Sequence, residues 1–93
     1  MKHNKISWEK IGEIQLGDTI ETTELGVLRV LNPKHSELGG KVSPPIWGRR
    51  LLVETKEGVQ KLLQVAQGLT PDLLSLNWEQ ELKQSGWRNL WAA

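Results

Sequence analysis

Few side chains in this sequence could do covalent chemistry. There is no Cys, which removes thiolate nucleophiles, disulfides and Cys-based zinc sites. The imidazoles are His3 and His35. A Ser-His-acid relay would have to bring His35 to one of five Ser and to a distant acid, and Ser36 beside His35 carries no such spacing. Glu9, Glu13, Asp18, Glu21 and Glu24 are scattered among Lys residues, as on a solvated face, and do not suggest a paired acid–base site. Metal ligation lacks a His-x-x-x-His spacing. Gly39-Gly40-Lys41 is a fragment of a phosphate-binding loop, but Val42 stands where a hydroxyl residue is required. These residues point to a protein without catalytic residues, metal, cofactor or small-molecule substrate.

What remains is suited to binding. Lys34, His35, Lys41, Trp47, Arg49 and Arg50 fall close together, with Lys56 and Lys61 following. Trp and Arg are frequent hot spots at protein interfaces. The same set would also suit phosphates and stacked bases. A bland reading exists for each: Trp47 as core filler, and the Arg pair as cations that solvate a strand edge and discourage edge-to-edge pairing. Trp87 and Trp91, four apart, make a second candidate interface if that end is helical, although core packing is the better explanation of them. The leading expectation is a non-catalytic adaptor that meets a protein partner through residues 33–50 and a Trp-rich surface. The alternative is a nucleic-acid-binding module that uses the basic loop and hairpin.

The totals fit that picture. Ninety-three residues make a single domain near the lower size at which a chain folds without a staple. A hydrophobic share of 38% with 25% charged residues is ordinary for a globular chain. The net charge of +1 gives no global pull toward nucleic acid or an anionic membrane. The middle is basic, with seven Lys or Arg against three acids in residues 25–61. The aromatic set is five Trp with no Phe or Tyr, so Trp8, Trp47, Trp78, Trp87 and Trp91 do all the aromatic packing. No stretch is apolar enough for a membrane span or a secretory leader, and with no Cys the expectation is a cytoplasmic protein.

The elements that must position these residues are short. Residues 50–65 read as two strands joined at Lys56-Glu57-Gly58, with Gly58 supplying the positive φ of a three-residue loop and bulge. The pattern Thr-x-x-Gly-Val-x-(Arg/Lys)-apolar-Leu occurs twice, from Thr23 and from Thr55, which predicts two similar hairpins. Val59, Leu62, Leu63 and Ala66 also fall at helical spacing, so residues 58–68 could form a helix; the internal echo favours strand. Ser7 is a candidate cap for one helical turn carrying Trp8 and Ile11. Residues 1–6 read as a frayed end, and Ile14-Gln15-Leu16 as an edge strand. Gly17-Asp18 marks a turn, and Ile20 points inward from the next strand.

Asn32-Pro33 is expected to stop the strand from Val27, opening a long connection over 33–48. Thr70-Pro71-Asp72 has the cap, first-turn Pro and early acid of a helix start, and Gly86 suits its end. The expected architecture is therefore mainly β: an N-terminal segment 1–13, then four or five strands curled into a barrel over 14–65. A C-terminal helix over 70–86 and a Trp-rich tail over 87–93 follow. In its short strands, Gly-Asp turn and two Thr-x-x-Gly hairpins, residues 14–65 resemble the architecture of SH3-like barrels.

Overall fold

The structure, a computed structural model, describes residues 1–4, 6–23, 26–38, 47–68 and 70–77. Six strands form one sheet in sequence order, curled into half a barrel. They are β1 (Lys2–His3), β2 (Thr19–Thr22), β3 (Gly26–Leu38), β4 (Gly48–Glu54), β5 (Gln60–Ala66) and β6 (Asp72–Leu74). β1 runs parallel to β2, and every later pair is antiparallel. A 3₁₀ helix, Trp8–Glu13, joins β1 to β2.

The core lies on one face of the sheet. Ile20, Leu28, Val30, Leu51, Val53, Leu63 and Val65 point to it, and Ile11 and Ile14 close it from the helix. The alternation is visible in β3, where Leu28 and Val30 are buried while Val27 and Arg29 are exposed. β5 is different: every residue from Leu62 to Ala66 is buried, so both of its faces are covered. A strand buried on both sides loses its period of two, which is why residues 58–68 also read as a helix.

Both hairpins form, each with a glycine in the left-handed region, Gly26 at φ 73° and Gly58 at φ 81°. At the second, Thr55 N–H donates to Val59 O at 2.9 Å, and Gly58 N–H donates to Thr55 O at 3.0 Å. The Thr55 hydroxyl oxygen accepts from Val59 N–H at 3.2 Å, so Lys56-Glu57-Gly58 is the expected three-residue loop. The first hairpin is offset by one residue from this echo. Thr22, not Thr23, pairs with its partner, Gly26, and the Thr22 hydroxyl donates to Gly26 O at 2.9 Å. The two tips are neighbours, because a Cβ on Gly26 would come within 3.2 Å of Lys56 Cε.

Four expectations are corrected. β3 does not stop at Asn32-Pro33; it continues to Leu38. Between the Asn32–Leu52 and Ser36–Arg50 pairs, β3 advances four residues while β4 advances two. Pro33 therefore sits where the ladder is interrupted and no N–H is required of it, and Asn32 Oδ1 takes the N–H of Lys34 at 3.0 Å. The expected 33–48 connection shrinks to the residues after Leu38.

The N-terminus is also tied down: β1 pairs with β2 through Lys2–Thr19 and His3–Ile20. Ile14-Gln15-Leu16 is a connection rather than a strand, with Leu16 exposed. Finally, the helix expected over 70–86 does not start at Thr70. Asp72–Leu74 is strand, with Leu73 opposite Leu63 and Leu74 opposite Leu62. Pairing two Leu with β5 and packing Leu73 on the core outweigh the local cap signal, and Asp72 Oδ1 accepts from Leu73 N–H at 2.9 Å. The remainder of that expected helix and the 87–93 tail lie outside the described residues.

Candidate functional site

The basic set expected to act together is divided by the sheet. Arg49 and Arg50 are consecutive on β4, so their side chains leave opposite faces. Arg50 is only 5% exposed. It lies in a cross-strand row between Ser36 of β3 and Gln64 of β5. Its Nε donates to Gln64 Oε1 at 3.2 Å and its Nη1 to Ser36 Oγ at 3.1 Å. A buried guanidinium requires such acceptors, so Arg50 is held by the sheet rather than offered to a ligand.

Arg49 occupies the core-side row between Glu37 and Val65. Its Nη2 donates to Glu37 Oε1 at 3.4 Å, a long contact to an exposed carboxylate, and its buried Nε has no acceptor among the described residues. Lys61 lies opposite Val53, four residues along β5 from the partner of Arg49, roughly 13 Å away at the usual rise of a strand. Lys34 and His35 are exposed where β3 bulges, and Lys56 is exposed at a hairpin tip. Lys41, Trp87 and Trp91 lie outside the described residues.

Trp47 is the member of the set that reaches solvent as an aromatic, with 52% of its surface exposed. Its backbone is nevertheless fixed. Gln67 N–H donates to Trp47 O at 2.8 Å, continuing the β4–β5 ladder past the Gly48–Ala66 pair. Trp47 therefore stands at the end of the strand pair, next to the turn that leaves β5.

That turn forms one wall of a cleft of about 340 Å³, which was not anticipated from the sequence. Ala66, Gly68, Thr70 and Pro71 line one side, and Ile6, Ser7, Trp8 and Glu9 line the other. Gly68, at φ 75°, turns the chain between β5 and Pro71. Ile6 and Trp8 are half-buried, each packed against the core on its inner side. Ser7 precedes the 3₁₀ helix but makes no side-chain cap bond, so its hydroxyl is not consumed there. Among the described residues Glu9 makes no ion pair, and it is the only ionisable side chain of the lining. Trp8 and Pro71 were legible as a helical turn and a helix start; only the pairing of β6 with β5 brings them to one cleft.

Asp18 is the other residue whose role was not foreseen beyond a turn. Its side chain is nearly buried, with Oδ1 taking the Met1 ammonium at 3.0 Å. Its Oδ2 takes His3 Nε2–H at 2.8 Å and Gln15 N–H at 2.9 Å. Its main chain is bonded as well: Asp18 O accepts from Val30 N–H at 2.8 Å, and Asp18 N–H donates to Gln15 O at 3.1 Å. The His3 hydrogen bond first, then those from Gln15 N–H and the ammonium, hold the carboxyl far below its ordinary range, against a smaller upward effect of desolvation. A nearly buried carboxylate whose two oxygens both take donors from the chain itself is held for structure. The pair of His3 and Asp18 is a clasp for the first strand.

Comparison with protein-family models, curated proteins and solved structures finds no match. The site is therefore defined by geometry: an exposed Trp47 whose backbone is bonded to the turn that walls the cleft, and a cleft of mixed lining with one carboxylate and unused hydroxyls among its described residues.

Proposed function

We propose that this chain is a small non-catalytic docking module that recognises a protein partner through Trp47 and the cleft beside it. The observation that carries the reading is the half-exposed Trp47 on a backbone pinned by Gln67. An anchored indole loses little conformational freedom on binding, and covering its exposed half, roughly 100 Å², would contribute about 2–3 kcal/mol. A curled meander of this kind is the surface an SH3-like module would offer, and a chain without Cys suits the cytoplasm.

Two features favour a protein partner over nucleic acid. Arg50 is buried and hydrogen-bonded within the sheet, and Arg49 is directed to Glu37. Among the described residues, the two cations that follow Trp47 in sequence are thus turned to the sheet, Arg50 fully and Arg49 by one long contact, which leaves fewer to neutralise a phosphate backbone.

The test is photo-cross-linking from position 47, with position 59 as control, since Val59 is also exposed but lies at a hairpin tip. A single protein captured from position 47, and lost on competition with unlabelled wild type but not with Trp47→Ala, supports the reading. Salt-sensitive binding of single-stranded RNA that quenches Trp emission, with no protein captured, would overturn it in favour of nucleic acid.

A further inference from the structure

The cleft beside Trp47 has a chemical character of its own, and it specifies more than a generic docking surface. We infer that it receives one basic side chain, a Lys or Arg of an extended segment of the partner. This rests on the docking reading above and names what the docked segment must carry.

Half of the lining residues are apolar, Ile6, Trp8, Ala66 and Pro71, and the other half, Ser7, Glu9, Gly68 and Thr70, present polar groups. The aliphatic stem of Lys or Arg packs against apolar surface while its charged head stays at the rim. An indole in the wall attracts a cation through its ring quadrupole. The rim supplies the matching charge. Glu9 is exposed, and among the described residues it is the only ionisable group of the lining and has no ion-pair partner. Ser7 and Thr70 add hydroxyl oxygens that make no hydrogen bond among the described residues, and oxygens of this kind accept from an ammonium or guanidinium.

Size agrees with charge. About 340 Å³ holds one long side chain and part of its flanking backbone, and is at the small end for a drug-sized ligand. An acidic side chain would meet Glu9 with no cation in the lining to offset it. A neutral apolar side chain would fill the walls but leave the carboxylate without a partner. A basic side chain satisfies both parts of the cleft, and that selects the partner's chemistry.

The experiment uses the full chain, labelled with ¹⁵N, and three capped tripeptides: acetyl-Ala-Lys-Ala-amide and its norleucine and Glu counterparts. The Lys peptide should shift the amides of Glu9, Gly68 and Thr70 and the indole N–H of Trp8. It should half-saturate at a concentration about fivefold below the norleucine peptide, the ratio expected for a cation against an indole and a surface carboxylate. The Glu peptide should shift none of them. Glu9→Gln, whose spectrum should otherwise match wild type, should bring the Lys and norleucine peptides to the same midpoint. Equal midpoints on wild type, or shifts confined to residues outside the cleft, or no shift with any peptide, would each overturn the inference. Trp47→Ala separates the two claims. If it loses partner capture while Glu9→Gln does not, the docking reading stands and the basic-side-chain inference fails.

Discussion

The Asp18 hub and the Trp47 cleft are built from similar materials and end in opposite states. Each brings residues from the N-terminal segment against the sheet, and each centres on a carboxylate. Asp18 is 7% exposed, and its two oxygens take three donors from Met1, His3 and Gln15. Glu9 is exposed in a cleft of mixed polar and apolar lining, with no ion-pair partner among the described residues. The first arrangement commits both carboxylate oxygens to holding the chain together. The second leaves a carboxylate, two hydroxyls and half an indole directed at solvent. Structural polar groups are recognised by being satisfied, and recognition surfaces by being incomplete.

Removing the hub should have the largest effect. Asp18→Ala strands three donors at once and frees β1 from β2, so it should lower stability more than any substitution around the cleft, as measured by urea denaturation. The comparison breaks if Asp18→Ala and Glu9→Ala shift the midpoint equally. The same carboxylate sets an acid response. Its folded pKa lies below the ordinary 3.8, so its contribution is fully present above that value. That contribution is lost as pH falls below about 3.8 toward the folded value. Thermal scans between pH 5 and pH 2 should therefore show a steeper loss of Tm for wild type than for Asp18→Asn, which has no carboxyl to titrate.

Next in size is the contrast between the two arginines. Arg50→Ala removes a buried donor from Gln64 and Ser36 and should cost about 1–3 kcal/mol for the polar groups left unsatisfied. Arg49→Ala breaks a 3.4 Å contact to an exposed Glu37 and should cost about 1 kcal/mol or less. Paired denaturation curves decide it, and equal losses would mean that the two faces of β4 are not distinguished as described. Gly58→Ala should fall in the same range, about 1 kcal/mol, because φ of 81° places a Cβ in strained backbone even though nothing crowds it.

How far the fold was legible depended on whether local signals agreed with tertiary pairing. The hairpin at Lys56-Glu57-Gly58 was readable because the loop length and its Gly name one turn type, and nothing elsewhere competes. The twin motif at Thr23 predicted a hairpin correctly but missed its register by one residue, since register is set by which face Ile20 and Leu28 must bury. Pro33 was misread as a strand end because the rule assumes an unbroken ladder, and a bulge removes that assumption. Thr70-Pro71-Asp72 misled for a related reason: a cap signal is worth about 1 kcal/mol, less than seating two Leu against β5. As for the site, Trp47 and Arg49 were named from composition. The cleft could not be, because its two sides are about 60 residues apart in sequence and meet only through the β5–β6 turn.

The smallest expected effect on stability is the one that sharpens the comparison most. Trp47→Ala removes the largest side chain type in the sequence, and a buried Trp would cost about 3–5 kcal/mol on such truncation. With 52% of Trp47 exposed and its anchoring made by its backbone carbonyl, which Ala retains, the loss should stay near 1 kcal/mol or below. Amide exchange at Gln67 should be unchanged in the variant, because Trp47 O still accepts its proton. A small stability loss with lost partner capture would mark Trp47 as a residue retained for contact rather than for folding. A loss of several kcal/mol, with exposure of the Gln67 amide, would place the indole among the supports of the strand pair and remove the main anchor from the proposed surface.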